Sequence, residues 1–314
     1  MYPFPRRHGR AGALAAGTAL LAALAACGGG SSPSSSTAAA GGGGASSGSG
    51  SPSAAAKDDA LAKMLPSSIS GKGSLTIGTD ASYAPSEFVD TDGKTVVGFD
   101  ADLAKALGQV LGLNVTLQNA PFGTIIEGVK SGKFDLGVSS FTINPDRMKQ
   151  VDMVSYYSAG TSWAVPQGNP MGITPDNACG KKIAVQKDTV QQDDITKRSK
   201  KCTDAGKPAI TIEPYTLQSD VTSAVVTGKD DAELADSPVI AYAIKQTNGK
   251  LQQVGDIYDS APYGIVVPKG QGDYAKAVQG AVQKLIDSGT YQSILSKWGV
   301  QQGAVKTAQI DPTS

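Results

Sequence analysis

The sequence predicts an α/β protein built from two successive sets of alternating strands and helices. Three observations carry this. From Gly73 onward, apolar residues alternate between strand-like and helical spacing. The connections between those runs are short, which favours a mostly parallel sheet. A Pro- and Gly-bearing stretch, TSWAVPQGNP (161–170), separates the first set from the second.

In the first set, SLTIGTD (74–80) reads as a strand. DADLAKALGQVLG (100–112) places Leu103, Ala106, Leu107, Val110 and Leu111 at helical spacing, with Gly112 as the stop. A strand at 114–120, a helix at 123–133 and a strand at 134–140 follow. The second set has strands at 181–186, 209–215 and 231–236, and helices at 191–200, 219–227 and 238–246. A β-branched run at 261–269, an amphipathic helix at 274–288 and a last helix at 290–299 close the fold. The second lobe is therefore placed at 162–261, inserted between 71–161 and 262–305 of the first, with 306–314 as a tail. Ligands in such sheets collect beyond the carboxyl ends of strands. Asp80 and Ser139–Thr142 lie at such ends.

The N-terminus is of another kind. Arg6, Arg7 and Arg10 precede an apolar run, Ala11 to Ala26, too short for a comfortable membrane span. This is the pattern of a secretory signal. Its ending, LAAC (24–27), resembles the bacterial lipobox, whose cysteine is lipidated and becomes the new N-terminus. Residues 1–26 are then a signal peptide, and Cys27 anchors the chain to the outer face of the cell membrane. Gly28 to Ala56 is nearly all Gly, Ser, Ala and Pro, without charge or aromatic residue. Such a segment buries no core and acts as a flexible tether with a reach of roughly 30 Å. The domain map carries it to residue 70.

Composition excludes several function classes. Removing the signal takes away three of the 28 basic residues and none of the 28 acidic ones, a balance of minus three. No basic stripe is left, so nucleic acid is not an expected partner. The only histidine, His8, lies in the signal. Histidine-based nucleophile systems, general bases and metal sites are thereby removed, and no metal or cofactor is expected. Cys179 and Cys202, outside the cytoplasm, are expected to pair as a disulfide.

VSSFTINPDR (138–147) raises a specific question. Asn144 suits an N-cap and Pro145 the first helical position, so a helix should begin here. Arg147 then falls in the first turn, where the helix dipole disfavours a cation.

This stretch belongs to a set that arrives in order: GTDASYAPSEF (78–88), GFDADLAKAL (98–107), SGKFDLGVSSFTINPDRMKQVDMVSYY (131–157) and ADSPVIAY (235–242). Together they resemble the family 3 extracytoplasmic solute-binding proteins of polar amino-acid ABC transporters, over about residues 70–302. The resemblance implies a two-lobed periplasmic-binding-protein type II fold, each lobe a mostly parallel sheet flanked by helices, joined by a two-strand hinge. It implies a non-catalytic monomer that captures an L-amino acid and delivers it to a membrane permease. Polar or basic ligands such as lysine, arginine, ornithine or glutamine are favoured.

Residue by residue, Arg147 would grip the ligand carboxylate bidentately, with Ser139, Ser140 and Thr142 as further donors. Asp236 would take the ammonium, unless it serves only as an N-cap. Tyr83 and Phe122 match the aromatic pair around the ligand side chain. Asp80 matches a contact to that side chain's polar end, while Glu87 is placed nearer the rim. In the second-lobe loop, QKDTV (186–190), Gln186 and Thr189 match. Asp188 stands where the family usually has glycine, and Gly123 where it often has aspartate. A secreted dehydratase-type enzyme of the same fold and an extracellular amino-acid sensor are the alternative readings.

Overall fold

Two long strands carry the architecture, and every other element is placed relative to them. The computed structural model describes residues 55–313. The segment expected to be a signal peptide, Cys27 and most of the expected tether lie outside the described residues. In chain order the strands are β1 (Ser74–Thr79), β2 (Ser82–Tyr83), β3 (Glu87–Val89), β4 (Val96–Val97), β5 (Asn114–Asn119), β6 (Leu136–Thr142), β7 (Asp152–Pro166), β8 (Lys182–Gln186), β9 (Thr211–Tyr215), β10 (Ala232–Asp236) and β11 (Leu251–Val267). The helices are α1 (Asp59–Ala62), α2 (Ser67–Ser70), α3 (Phe99–Leu111), α4 (Phe122–Lys130), α5 (Pro145–Met148), α6 (Val190–Asp204), α7 (Gln218–Val226), α8 (Ser237–Gln246), α9 (Tyr274–Asp287) and α10 (Thr290–Trp298).

One mixed sheet has the order β5-β1-β6-β11-β7-β10-β8-β9. Strands β5, β1 and β6 are parallel and form the first lobe with one end of β7 and β11. Strands β9, β8 and β10 are parallel and form the second lobe with the other end. β7 and β11 pair antiparallel from Asp152↔Val267 to Leu251↔Pro166. Their register slips three times between Val254 and Gly264, where the pair crosses from one lobe to the other. The crossing is tight: a Cβ on Gly160 would lie 2.6 Å from the Tyr258 carbonyl oxygen, so only glycine fits there. The expected lobe boundaries, 161/162 and 261/262, fall inside these two strands.

The helices follow their sequence signals. α3 starts at Gly98, whose φ of 131° and contact with the Ser86 carbonyl exclude a side chain, and ends at Gly112 in the left-handed conformation. It buries Leu103, Ala106, Leu107, Val110 and Leu111 against the first-lobe sheet, with Val278, Val282 and Leu285 of α9. Each of the leucine and valine side chains contributes roughly 1.5–3 kcal/mol of apolar burial. In the second lobe, Trp163, Ile183, Val185, Ile195 and Leu234 form the core. Cys179 and Cys202 are joined there, with Cα atoms 5.6 Å apart.

Three expectations are corrected, and one small sheet goes beyond them. The tether does not reach residue 70: α1 and α2 are too short to stand alone, and Leu65 and Ile69 bury against the first lobe while Lys284 pairs with Asp58 at 2.7 Å. The C-terminal tail is not free. Ile310 bridges Val154, and the Asp311 carboxylate accepts the Met153 N–H at 2.8 Å. The small sheet β2-β3-β4 has too few residues per strand to show alternation. The helix after Asn144 is a single turn, so the dipole argument against Arg147 has little force.

β10 carries one ionisable group into the core. Glu233 is fully buried; its Oε2 accepts from Gln218 Nε2 at 3.1 Å and Thr222 Oγ1 at 2.9 Å. Burial pushes its carboxyl up to about 7, against those two hydrogen bonds. An unfolded glutamate titrates at about 4.3. The raised group therefore contributes stability that is complete below that value and is lost as the pH rises through about 7. Glu233→Gln is expected to raise the melting temperature by roughly 5 °C near pH 8.5 and to leave it almost unchanged near pH 5. Thermal denaturation at both pH values measures this, and an equal shift at the two would contradict it.

Candidate functional site

The first-lobe strands β1 and β6 end side by side, and the loops after them face the loops after β8 and β10 of the second lobe. Between them lies a small cavity. Asp80, Tyr83, Phe122, Ser139, Ser140, Thr142 and Arg147 line it from the first lobe. Gln186, Thr189 and Asp236 line it from the second. All the ligand-contact candidates named from the sequence thus reach one cavity. Two lining residues were not named, Val190 and Gln191, in the first turn of α6. Val190 stands where the family loop usually has a second threonine, whereas nothing in the sequence distinguishes Gln191 from other helix-opening residues.

Arg147 is about nine-tenths buried. Asn144 caps its turn, accepting the Arg147 N–H at 2.9 Å, which aims the side chain back at β6. Nη1 donates to the Thr142 carbonyl at 2.8 Å, and Nη2 reaches the Asp188 carbonyl of the other lobe at 3.3 Å. Thr142 therefore serves Arg147 through its main chain. The guanidinium also lies 5.3 Å from the Phe122 ring and 5.5 Å from Phe141, two rings stacked at 4.6 Å. Arg147 has no ion pair among the described residues. Burial lowers its pKa to about 10, opposed by the negative charge of Asp236, so it stays cationic at neutral pH. A buried cation supported by π-faces and carbonyl oxygens, with donors to spare, suits an anionic guest.

Asp236 occupies the N-cap position of α8, yet its side chain makes no capping bond. The carboxylate turns into the cavity instead. Oδ2 accepts the Tyr83 hydroxyl at 2.9 Å and Oδ1 accepts Gln191 Nε2 at 2.8 Å. Burial raises its pKa, and these bonds and the Arg147 charge pull it back. Tyr83 is accordingly a bridge between lobes as well as an aromatic wall.

Asp80, also buried, accepts from Ser82 Oγ at 2.7 Å, from the Phe122 N–H at 3.0 Å and from Gln186 Nε2 at 2.9 Å. Burial raises its pKa against those same bonds. The Ser139 hydroxyl accepts the Asp80 N–H at 3.0 Å and so supports that backbone from below. The Thr189 hydroxyl caps α6 and donates to the Gln186 carbonyl at 2.8 Å. Glu87 is not at the rim. It is fully buried behind Ser139, because β3 turns it inward.

Five bonds cross the cleft: Gln186 to Asp80, the Tyr83 hydroxyl to the Asp236 carboxylate, the Asp236 N–H to that same hydroxyl at 3.2 Å, Arg147 to the Asp188 carbonyl, and the Gln218 N–H to Ser82 Oγ at 3.0 Å. The lobes are closed on each other. Asp188 takes a left-handed φ of 63°, the conformation glycine would hold at no cost. Its carboxylate fills the space over Gly123 of the opposite lobe. A Cβ at Gly123 would lie 2.1 Å from Asp188 Oδ2. The two departures from the family pattern are therefore neighbours, and each makes room for the other.

The model of the bacterial extracellular solute-binding proteins, family 3, matches residues 75–301. An arginine-binding protein of Corynebacterium glutamicum is 38% identical over 249 residues, 79% of this chain and 81% of that protein. An ancestral arginine-binding protein, solved bound to arginine, superposes with a TM-score of 0.67 at 33% identity, covering 72% of this chain and 98% of that one. An ancestral amino acid-binding protein described as a precursor of cyclohexadienyl dehydratase superposes equally, at 0.67 and 32% identity, covering 74% and 97%. With the two-lobed fold and the charges that face each other across its cleft, this chain belongs to family 3 of the bacterial extracellular solute-binding proteins.

Proposed function

We propose that the protein is the binding component of an amino-acid ABC importer. It captures a basic L-amino acid, arginine foremost, and delivers it to a membrane permease. One observation carries the reading. Arg147 and Asp236 are buried, oppositely charged, on opposite lobes and turned into the same cavity. An α-amino acid presents the complementary pair, a carboxylate for Arg147 and an ammonium for Asp236. Only the closed state offers both partners, so binding favours closure.

The preference for a basic side chain rests on charge balance. Asp80 and Asp236 line the cavity against the single cation Arg147, a net charge of minus one when all three are ionised. A zwitterion with a cationic side chain cancels it. Relatives whose names specify arginine support the same choice. Tyr83 and Phe122 supply flat walls for the side chain. We assign Cys27 as the lipid anchor that holds the mature protein outside the cell membrane, acting as a monomer without catalysis. The dehydratase-type alternative draws on the likeness to a dehydratase precursor.

Calorimetry against the common amino acids is expected to show the tightest binding for arginine, with lysine and ornithine weaker. Arg147→Ala should weaken binding roughly 100-fold or more, since a bidentate charged contact is lost. No heat with any amino acid, or an unaffected mutant, would refute the reading. Mass spectrometry of the recovered ligand should return it unaltered; a dehydrated product would establish the enzyme instead. Labelling cells with palmitate should mark the wild type and not Cys27→Ala.

Closure on the ligand brings Asp188 against Gly123, which gives a further test. Gly123→Asp is expected to weaken arginine binding by about tenfold or more through overpacking of the closed form. Adding Asp188→Gly should restore most of it. A double-mutant cycle reads the coupling, and strictly additive effects would show that the two positions do not oppose each other.

A further inference from the structure

Behind the ligand cavity sits a second polar cluster that makes no contact with the cavity's charges directly. Glu87 of β3 and Asp100 in the first turn of α3 are both buried, at 0% and 1% exposure. Neither has an ion-pair partner among the described residues. We infer that Glu87 and Asp100 share a single proton and act together as positioning residues for the ligand site. The inference rests on the reading of the cavity as an amino-acid site.

The argument is an accounting of four carboxyl oxygens. The Ser139 hydroxyl accepts the Asp80 N–H, so its own proton goes to Glu87 Oε1, 2.5 Å away. Asp100 Oδ2 accepts the Ser140 N–H at 2.8 Å, the Ser140 hydroxyl at 3.2 Å and the Tyr156 hydroxyl at 2.7 Å. Glu87 Oε2 and Asp100 Oδ1 remain, buried and without any other partner among the described residues. The two side chains are neighbours: they hold the consecutive residues Ser139 and Ser140, and the Asp100 N–H donates to the carbonyl of Ser86, next to Glu87, at 2.9 Å. Two neighbouring buried acceptors call for one proton between them, and two bare carboxylates here would repel with no cation to offset them.

The proton belongs on the Glu87 side. Asp100 already accepts three donors that favour its charged form, whereas Glu87 accepts one. In keeping with this, burial pushes Glu87 well above the usual carboxylate range and Asp100 only to about 6. The other titratable groups around the pair are Asp80, beyond Ser139, and the hydroxyl of Tyr156, and they add no positive charge. The consequence reaches the ligand. Asp100 holds Ser140 at a φ of 50°, a left-handed conformation that a non-glycine residue adopts only under constraint. Glu87 holds Ser139, and Ser139 holds the backbone of Asp80. One proton thus closes a chain of bonds that shapes the cavity floor.

An amide can supply that proton from either side. In Glu87→Gln, Nε2 faces Asp100 and Oε1 still accepts from Ser139. In Asp100→Asn, Nδ2 faces an ionised Glu87. In the double variant the two NH₂ groups face each other, unless an amide flips and forfeits its serine partner. Calorimetry with L-arginine is expected to find each single variant within about threefold of wild type and the double variant weakened roughly 30-fold or more. Infrared difference spectra near pH 8, wild type minus each single variant, should show one protonated-carboxyl C=O stretch that both substitutions remove. Loss of binding in either single variant to the level of the double, a double variant that binds like wild type, or absence of that band would overturn the inference. If the double variant does not fold, the single variants and the infrared band decide. A wild type that binds no amino acid would refute the transport reading and leave the infrared result to judge the shared proton separately.

Discussion

The antiparallel pairing of β7 with β11 is the constraint on which the rest of the molecule depends. It joins two parallel sheets into one and leaves a cleft where their strand ends meet. Because each strand passes through both lobes, the lobes can move only by bending this pair. Its slipped register between Val254 and Gly264, with Gly160 admitting the Tyr258 carbonyl, marks where that bending is least opposed. Arg147 follows β6 on one side of the crossing, and Asp236 ends β10 on the other. Their separation in sequence is large, and the hinge is what makes them neighbours.

Buried charge then defines the site. An isolated guanidinium in a protein interior is costly, and two carbonyl oxygens and two ring faces offset part of that cost. Asp80 and Asp236 are treated alike, each held by several neutral donors. Neutral partners orient these groups and leave their charges uncompensated, which is the condition for binding a zwitterion. Asp188 and Gly123 show a different constraint. A side chain on one face of a closing cleft needs a space on the other, and Asp188 occupies the space that Gly123 leaves open.

Much of this was legible in the sequence, for identifiable reasons. Helices such as α3 and α9 declare themselves through long apolar periodicity and, for α3, a glycine stop. The central strands have β-branched runs bounded by turn residues. The N-cap at Asn144 was readable because capping is local chemistry. What escaped were elements whose stability is not local, the four-residue α1 and α2 and the C-terminal segment against β7, and strands too short to show alternation, such as β2. The first three owe their place to surfaces that lie elsewhere in the chain.

At the site the division is the same. The sequence by itself determined which residue types gather at strand ends, that the chain's only histidine is His8, and that an arginine and an aspartate of the family pattern are present. Only the tertiary structure decided what each side chain does. It turned Asp236 away from capping α8 and toward Tyr83 and Gln191, and it drew Gln191 into the cavity. It buried Glu87 behind Ser139, where the sequence suggested a rim carboxylate. Local rules concern backbone groups a few residues away, whereas burial and long-range partners depend on how distant strands are brought together, and no stretch of sequence contains that.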